Sequence, residues 1–409
     1  MDMKRPLSGI RVTGLEQYMA GPYCTLLLAD AGAEVIKIER PGSGDPRRAM
    51  PPFAEKDGKK KAAGFMGYNR NKKSLALNLR EERGQEIFRK LAQASDVVLE
   101  NLRPGSMSRM GIGQKEMREL NPRLIWAIIS GFGRLEGYKG PYSDRPAFDI
   151  VAEAMSGIMH VVGFADKPPS WTIYGLADIY SGQVAAYGIM QALFMRERSG
   201  EGQLVDSAMF DNMLALNEAM AAVYSVAGQI PERGKLRNVW PRGAFQAKDG
   251  YIALNVADNI IWGRLATAMG REDLIGDDRS AQAPARVENA DFLQPIIEQW
   301  LASQTREEAV NTLNDIGVPC GPVNTAEDVF NDPHVKARGS IMQVKDPDVG
   351  SFGFMRTPPH MSSAPELPAK PAPNLGQHTR EVMQDILGYD SKDINKLASD
   401  GVVQLADEA

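Results

Sequence analysis

Residues 10–39 read IRVTGLEQYMAGPYCTLLLADAGAEVIKIE, and this stretch decides the fold. Ile10–Leu15 and Glu34–Glu39 are β-branched runs bounded by turn residues, and the run between them, GPYCTLLLADAGA, reads as a buried helix. A strand, a helix and a second strand in immediate succession make the unit of a parallel sheet with helices on its faces. The alternation continues outward. SLALNL precedes REERGQEIFRKLAQA, where Ile87, Phe88 and Leu91 share one helical face. DVVLENL (Asp96–Leu102) and LIWAIISGF (Leu124–Phe132) are two further buried strands. The expected class is α/β, with a Rossmann-like large domain.

Beyond about residue 225 the pattern changes. GQIPERGKLRNVWP is a polar connector, and GAFQAKDGYIALNVA reads as a hairpin turning at Asp249-Gly250. Helical patterns such as FLQPIIEQWLAS follow, and GVPCGPVNT is a turn-rich edge. These features predict a small α+β domain over 226–330. Pro- and Gly-rich sequence over 331–365 predicts an extended return linker. The final helical pattern, from about 366 to 409, is expected to complete the large domain formed by 1–225.

The chain has 409 residues, 43% hydrophobic and 24% charged, with a formal net charge of −5. That size calls for two domains. The negative charge argues against non-specific nucleic-acid binding, which wants a basic surface. Cys24 and Cys320 are too few for a disulfide framework, and no Cys/His cluster has metal-ligand spacing, so no metal is expected. No apolar run is long enough to span a membrane, and the N-terminus lacks the apolar core of a secretory signal; a cytoplasmic enzyme is expected.

A Rossmann-like sheet invites a dinucleotide, but the first strand runs into GLEQYMAGPYC, without the glycine pattern that lets a pyrophosphate approach the backbone. Two basic clusters, Lys59-Lys60-Lys61 and Arg70 with Lys72-Lys73, read either as solvated loop or as phosphate contacts. Arg40 stands at the C-terminal end of a strand, where ligands of open α/β sheets sit. ENLRPGSMSRMG (Glu100–Gly111) lies at the same sheet edge; it reads as an ordinary Pro-Gly turn or as a nucleotide-recognition loop using Leu102, Arg109 and Met110. LADIYSGQVAAYGIMQALFM starts a helix near Asp178, with Val184, Tyr187 and Met190 on one stripe. From periodicity alone Asp178 is an N-cap, and Asp149 in RPAFDIVAEAMSG has the same look.

Taken together these stretches, with YNRNKKSLALNL, LADIYSGQVAAYGIMQALFMRERSGEGQLVDSAMFD and GVPCGPVNT, resemble the family III CoA-transferases, in order and over most of the chain. The resemblance implies that Asp178 is a nucleophilic aspartate with Asp149 as a supporting acid. It implies that coenzyme A, as part of an acyl-CoA substrate, is held by Arg40, Leu77, Arg80, Asn101, Leu102, Arg109 and Met110. Tyr18, Met19 and Ala20 would form the loop where thioester and carboxylate meet, with Met19 standing where some relatives carry Gln. Arg145 is a candidate for holding a dicarboxylate. The resemblance further implies an interlocked, ring-like homodimer. NVADNIIWG lacks the glycine-rich loop of formyl-CoA-type relatives, which points away from a formyl/oxalate pair. Two alternatives stay open: an α-methylacyl-CoA racemase-like enzyme, and a non-catalytic CoA-ester-binding protein. A racemase would be expected to carry a His beside Asp149, where this chain has Ala147 and Phe148. An unperturbed aspartate, with a pKa near 3.9, would be ionised at neutral pH without a general base.

Overall fold

The computed structural model describes residues 5–234, 239–365 and 369–406. The chain divides into two compact units: Met1–Val162, Pro169–Ala227 and Gly339–Ala409 form one, and Gly163–Pro168 with Gly228–Arg338 forms the other.

In the first unit, β1 (Arg11–Leu15), α1 (Ala20–Asp30) and β2 (Glu34–Glu39) form the expected βαβ element. They are followed by a hairpin, β3 (Phe53–Lys56) and β4 (Lys59–Ala62), and by α2 (Ala63–Asn69). Then come β5 (Lys73–Leu77), α3 (Glu82–Gln93) and β6 (Val97–Glu100). Short helices α4 (Ser106–Arg109) and α5 (Gln114–Leu120) lead to β7 (Ile125–Ser130). Next are α6 (Asp149–Met155), α7 (Ile158–Val161), the long α8 (Leu176–Ser199), β8 (Leu204–Ala208), α9 (Met209–Leu216) and α10 (Glu218–Ala227).

The sheet runs β5-β2-β1-β6-β7-β8, all parallel, the order of a doubly wound Rossmann sheet. Alternate residues feed two cores. Ile36, Leu75, Val98, Trp126 and Ile128 pack on one face against Ile87, Phe88 and Leu91 of α3. Val12, Val35, Val97, Leu99, Ile125 and Ile129 pack on the other against α1 and α8. Both faces are therefore dry, which is why these strands are nearly continuous apolar runs. Small residues of α8 (Gly182, Ala185) let it approach α1 closely; a Cβ at Gly182 would come within 2.6 Å of the Ala20 carbonyl oxygen. The stripe of Tyr187 and Met190 is turned outward instead, because the inward stripe must be small.

In the second unit, β9 (Arg242–Ala247) and β10 (Gly250–Asn255) are antiparallel, with Ala247 opposite Gly250. The turn is therefore Lys248-Asp249, one residue earlier than Asp249-Gly250. Helices α11 (Asn259–Ala268), α12 (Ala283–Glu288), α13 (Ala290–Leu301) and α14 (Arg306–Asp315) follow. GVPCGPVNT is more than an edge turn: β11 (Cys320–Pro322) within it pairs with β10.

Residues 331–365 are not an extended linker. α15 (Ala326–Asn331) is followed by α16 (Pro333–Arg338), whose first turn donates to the Asp332 carboxylate. β12 (Ile341–Asp346) and β13 (Gly350–Met355) then form a hairpin in the first unit. The Pro and Gly residues mark caps and a tight turn here, and the Asp346 carboxylate closes that turn on the Asp348 N–H. The chain ends with α17 (Thr379–Glu381), α18 (Ser391–Ser399) and β14 (Val403–Gln404). Ile394 and Leu397 of α18 join the α3 core, and β14 adds an antiparallel edge to β5.

Candidate active site

The strand order reverses at β1, the topological switch point where open α/β sheets place ligands. Asn101, just after β6, closes that point. Its amide accepts from the Gln17 N–H and donates to the Gln17 carbonyl, both at 2.9 Å. Beside it is a cavity of about 150 Å³ lined by Gln17, Arg40, Leu77, Arg80 and Leu102 at the C-terminal edge of β1, β2 and β5. Four residues that the sequence singled out for CoA thus meet in one cavity. Three others lie outside its lining: Asn101 holds the Gln17 loop beside it, the exposed Arg109 folds back on the Pro104 carbonyl (3.3 Å), and Met110 packs against the α3 core. The two basic clusters are engaged in ion pairs. Lys59 and Lys61 pair with Asp348 and Asp346, Arg70 with Asp30, Lys72 with Glu16 and Lys73 with Glu34.

At the start of α8 the structure corrects the capping assignment. The N-cap is Gly175, at φ +87°, and Asp178 is the third helical residue, with no side-chain cap bond. The cap comes from α6. The Asp149 carboxylate accepts from the N–H groups of Ala177 (2.7 Å), Gly175 (3.3 Å) and Asp178 (3.4 Å). Asp149 is itself the first residue of α6, after the N-cap Phe148. One turn on, Glu153 accepts from the N–H (3.0 Å) and hydroxyl (2.9 Å) of Thr172. Two acids at i, i+4 of α6 thus pin the segment entering α8. Sequence reading missed Glu153, although its spacing from Asp149 was a usable signal. Because Asp149 satisfies the orphan amides, the Asp178 carboxylate is left free for other work. Those same amides are for that reason not oxyanion donors.

Burial, reinforced by the Asp149 charge and partly offset by Arg47, pushes the Asp178 carboxyl up to about 7. The unperturbed value expected from sequence does not hold here, because the carboxyl is desolvated beside a like charge.

The loop after β1 is held against this helix start. Met19, the buried N-cap of α1, lies where a side chain on Gly175 would overlap its methyl group. Tyr18 adopts a positive φ of 64° and meets Phe148 edge-on, ring centroids 6.3 Å apart. One oxygen of Asp45 accepts from the Tyr18 N–H (3.2 Å) and the Arg47 N–H (2.9 Å), and its other oxygen pairs with buried Lys37 at 2.9 Å. Ala20 is buried in the first turn of α1. The N–H groups of Met19 and Ala20 stand at the start of α1, on the loop that meets Phe148 and Gly175. Arg145 is not brought to Asp178; it is exposed and stacked over Tyr142 at 4.2 Å.

Comparison with known proteins settles the family. The model of CoA-transferase family III matches residues 7–379. The chain belongs to that family. This family III CoA-transferase is 39% identical, over 98% of both chains, to succinyl-CoA–D-citramalate CoA-transferase of Chloroflexus aurantiacus. It is 34% identical to the succinyl-CoA:glutarate CoA-transferase of Mus musculus, over 98% of this chain and 91% of that one. Among solved structures, a CaiB/BaiF family protein from Brucella suis superposes with a TM-score of 0.84 at 35% identity, covering 94% of this chain and 100% of that one. The protein is thus an enzyme that moves CoA. Among the described residues no helix is long and apolar enough to cross a membrane, and no group of His, Cys, Asp and Glu could hold a metal ion.

Proposed function

We propose that this CoA-transferase moves CoA from succinyl-CoA to a small dicarboxylic acid through Asp178. The observation that carries the reading is that Asp149 caps α8 and leaves the desolvated Asp178 carboxylate uncommitted at the helix start. Both relatives named above carry succinyl-CoA and a dicarboxylic acid in their names.

The Asp178 carboxylate attacks the thioester carbonyl, the C–S bond breaks, and an acyl-aspartyl anhydride and CoA thiolate result. The thiolate attacks the aspartyl carbonyl, expels the donor acid and leaves an aspartyl-CoA thioester. The acceptor carboxylate then repeats both steps in reverse. Every exchange trades one activated carbonyl for another, so no proton or nucleotide is consumed. Asp178, raised to about 7, is a more basic nucleophile than an exposed aspartate. The N–H groups of Met19 and Ala20 are the proposed oxyanion donors. Arg40, Arg80, Leu77 and Leu102 would take the nucleotide end of CoA, with Asn101 shaping the loop and Arg109 and Met110 bordering it. A panel of carboxylic acids incubated with succinyl-CoA and read by mass spectrometry should give new CoA esters with dicarboxylic acceptors; hydrolysis alone would refute the reading.

The same proposal includes a homodimer, interlocked as in the family, working in the cytoplasm. Its support is the exposed apolar face of α8, with Tyr187, Phe194 and Met195. Light scattering that returns the mass of one chain would sink the dimer.

A further inference from the structure

We propose that Arg47, fixed between Tyr68 and Tyr174, is the receptor for the second carboxylate of the dicarboxylic substrate. This rests on the transferase reading above and adds to it the group that selects the acid.

Arg47 lies in the short 3-10 helix Pro46–Ala49, far in sequence from Asp178. Its Nη1 donates to the Tyr174 hydroxyl at 2.9 Å, and its guanidinium carbon is 5.6 Å from the Tyr174 ring centroid and 5.9 Å from that of Tyr68. Tyr174 immediately precedes the N-cap of α8, so this bond ties the guanidinium to the helix start that carries Asp178. The backbone below is locked as well, since Arg47 and Tyr18 share one oxygen of Asp45. Gly64 makes room: a Cβ there would come within 2.5 Å of the Arg47 Nε.

What distinguishes Arg47 from its neighbours is its lack of a counter-ion. Arg48 is paired with Glu39, Arg70 with Asp30 and Arg134 with Glu100. Among the described residues Arg47 has no carboxylate within salt-bridge reach. A guanidinium held by two rings, in the field of Asp178 but in contact with no carboxylate, is built to receive a planar oxyanion. The acyl end of the substrate must come to Asp178, whereas Arg40 and Arg80 line a separate cavity at the sheet edge. The oxyanion that fits Arg47 is therefore a carboxylate of the acid rather than a phosphate of CoA. An anionic acid approaching an anionic nucleophile also needs a local cation, which Arg47 supplies.

The test is steady-state kinetics with succinyl-CoA as common donor and either glutarate or pentanoate as acceptor. Both acceptors meet the same enzyme, so any effect on Asp178 cancels in their ratio. The wild type should prefer glutarate. Arg47→Ala should cut that preference about 10- to 100-fold, the range for charge-assisted hydrogen bonds, mainly through KM for glutarate, and Arg47→Lys should restore part of it. Equal losses on both acids, or a rise confined to KM for succinyl-CoA, would overturn the assignment while leaving the transferase reading intact. A wild type that forms no CoA ester with any dicarboxylic acid of the panel would overturn both.

Discussion

Burial raises the Asp178 carboxyl toward neutral pH. Burial first, then the charge of Asp149, hold its carboxyl near 7, and Arg47 pulls the other way. In the proposed mechanism the nucleophile is the ionised form, so kcat/KM for succinyl-CoA should rise with pH along one limb centred near 7 and flatten above it. Replacing Asp149 by Asn removes the like charge, lowers the pKa of Asp178, and should move that limb to more acid pH. The same change loosens a cap, at a cost of about 1 kcal/mol, the net worth of one hydrogen bond, because Asn keeps only one of the two acceptor oxygens. A pH–rate profile of the two proteins checks both statements; a limb that stays in place would show that Asp149 acts through structure alone. The sequence could identify Asp178 as a residue of interest, but not its ionisation, since that depends on a carboxylate brought in from another helix.

At the level of elements, legibility followed how local each signal was. The β1–α1–β2 unit was readable because its burial repeats within the stretch itself, and so was the α3 face of Ile87, Phe88 and Leu91. The start of α8 was misread because the cap lies outside it. Short polar residues at a helix start usually cap their own helix, and here Asp149 of α6 does so in place of Asp178. Gly175 takes the N-cap position with a left-handed φ and leaves space for Met19, two demands that only glycine meets together. The Pro- and Gly-rich sequence after residue 331 was read by composition as extended; it forms α16 and the β12–β13 hairpin because Asp332 and Asp346 close the turns. The stripe through Tyr187 and Met190 shows that an apolar periodicity on a long helix does not say which face is inward.

At the scale of the whole molecule, the doubly wound sheet places the ends of β1, β2, β5 and β6 around one switch point, and Asn101 ties the loops there. The C-terminal segment completes the same unit through α18 and β14. Composition could exclude classes of partner but could not assemble Arg47, Tyr174 and Asp178, which are distant in the chain. In the proposed mechanism Asp178 carries the covalent intermediate. The direct measurement is to react the enzyme with succinyl-CoA, quench with hydroxylamine and sequence the peptides by mass spectrometry. A hydroxamate should form on Asp178 and be absent without succinyl-CoA. Modification at another residue, or full transferase activity in Asp178→Ala, would contradict it.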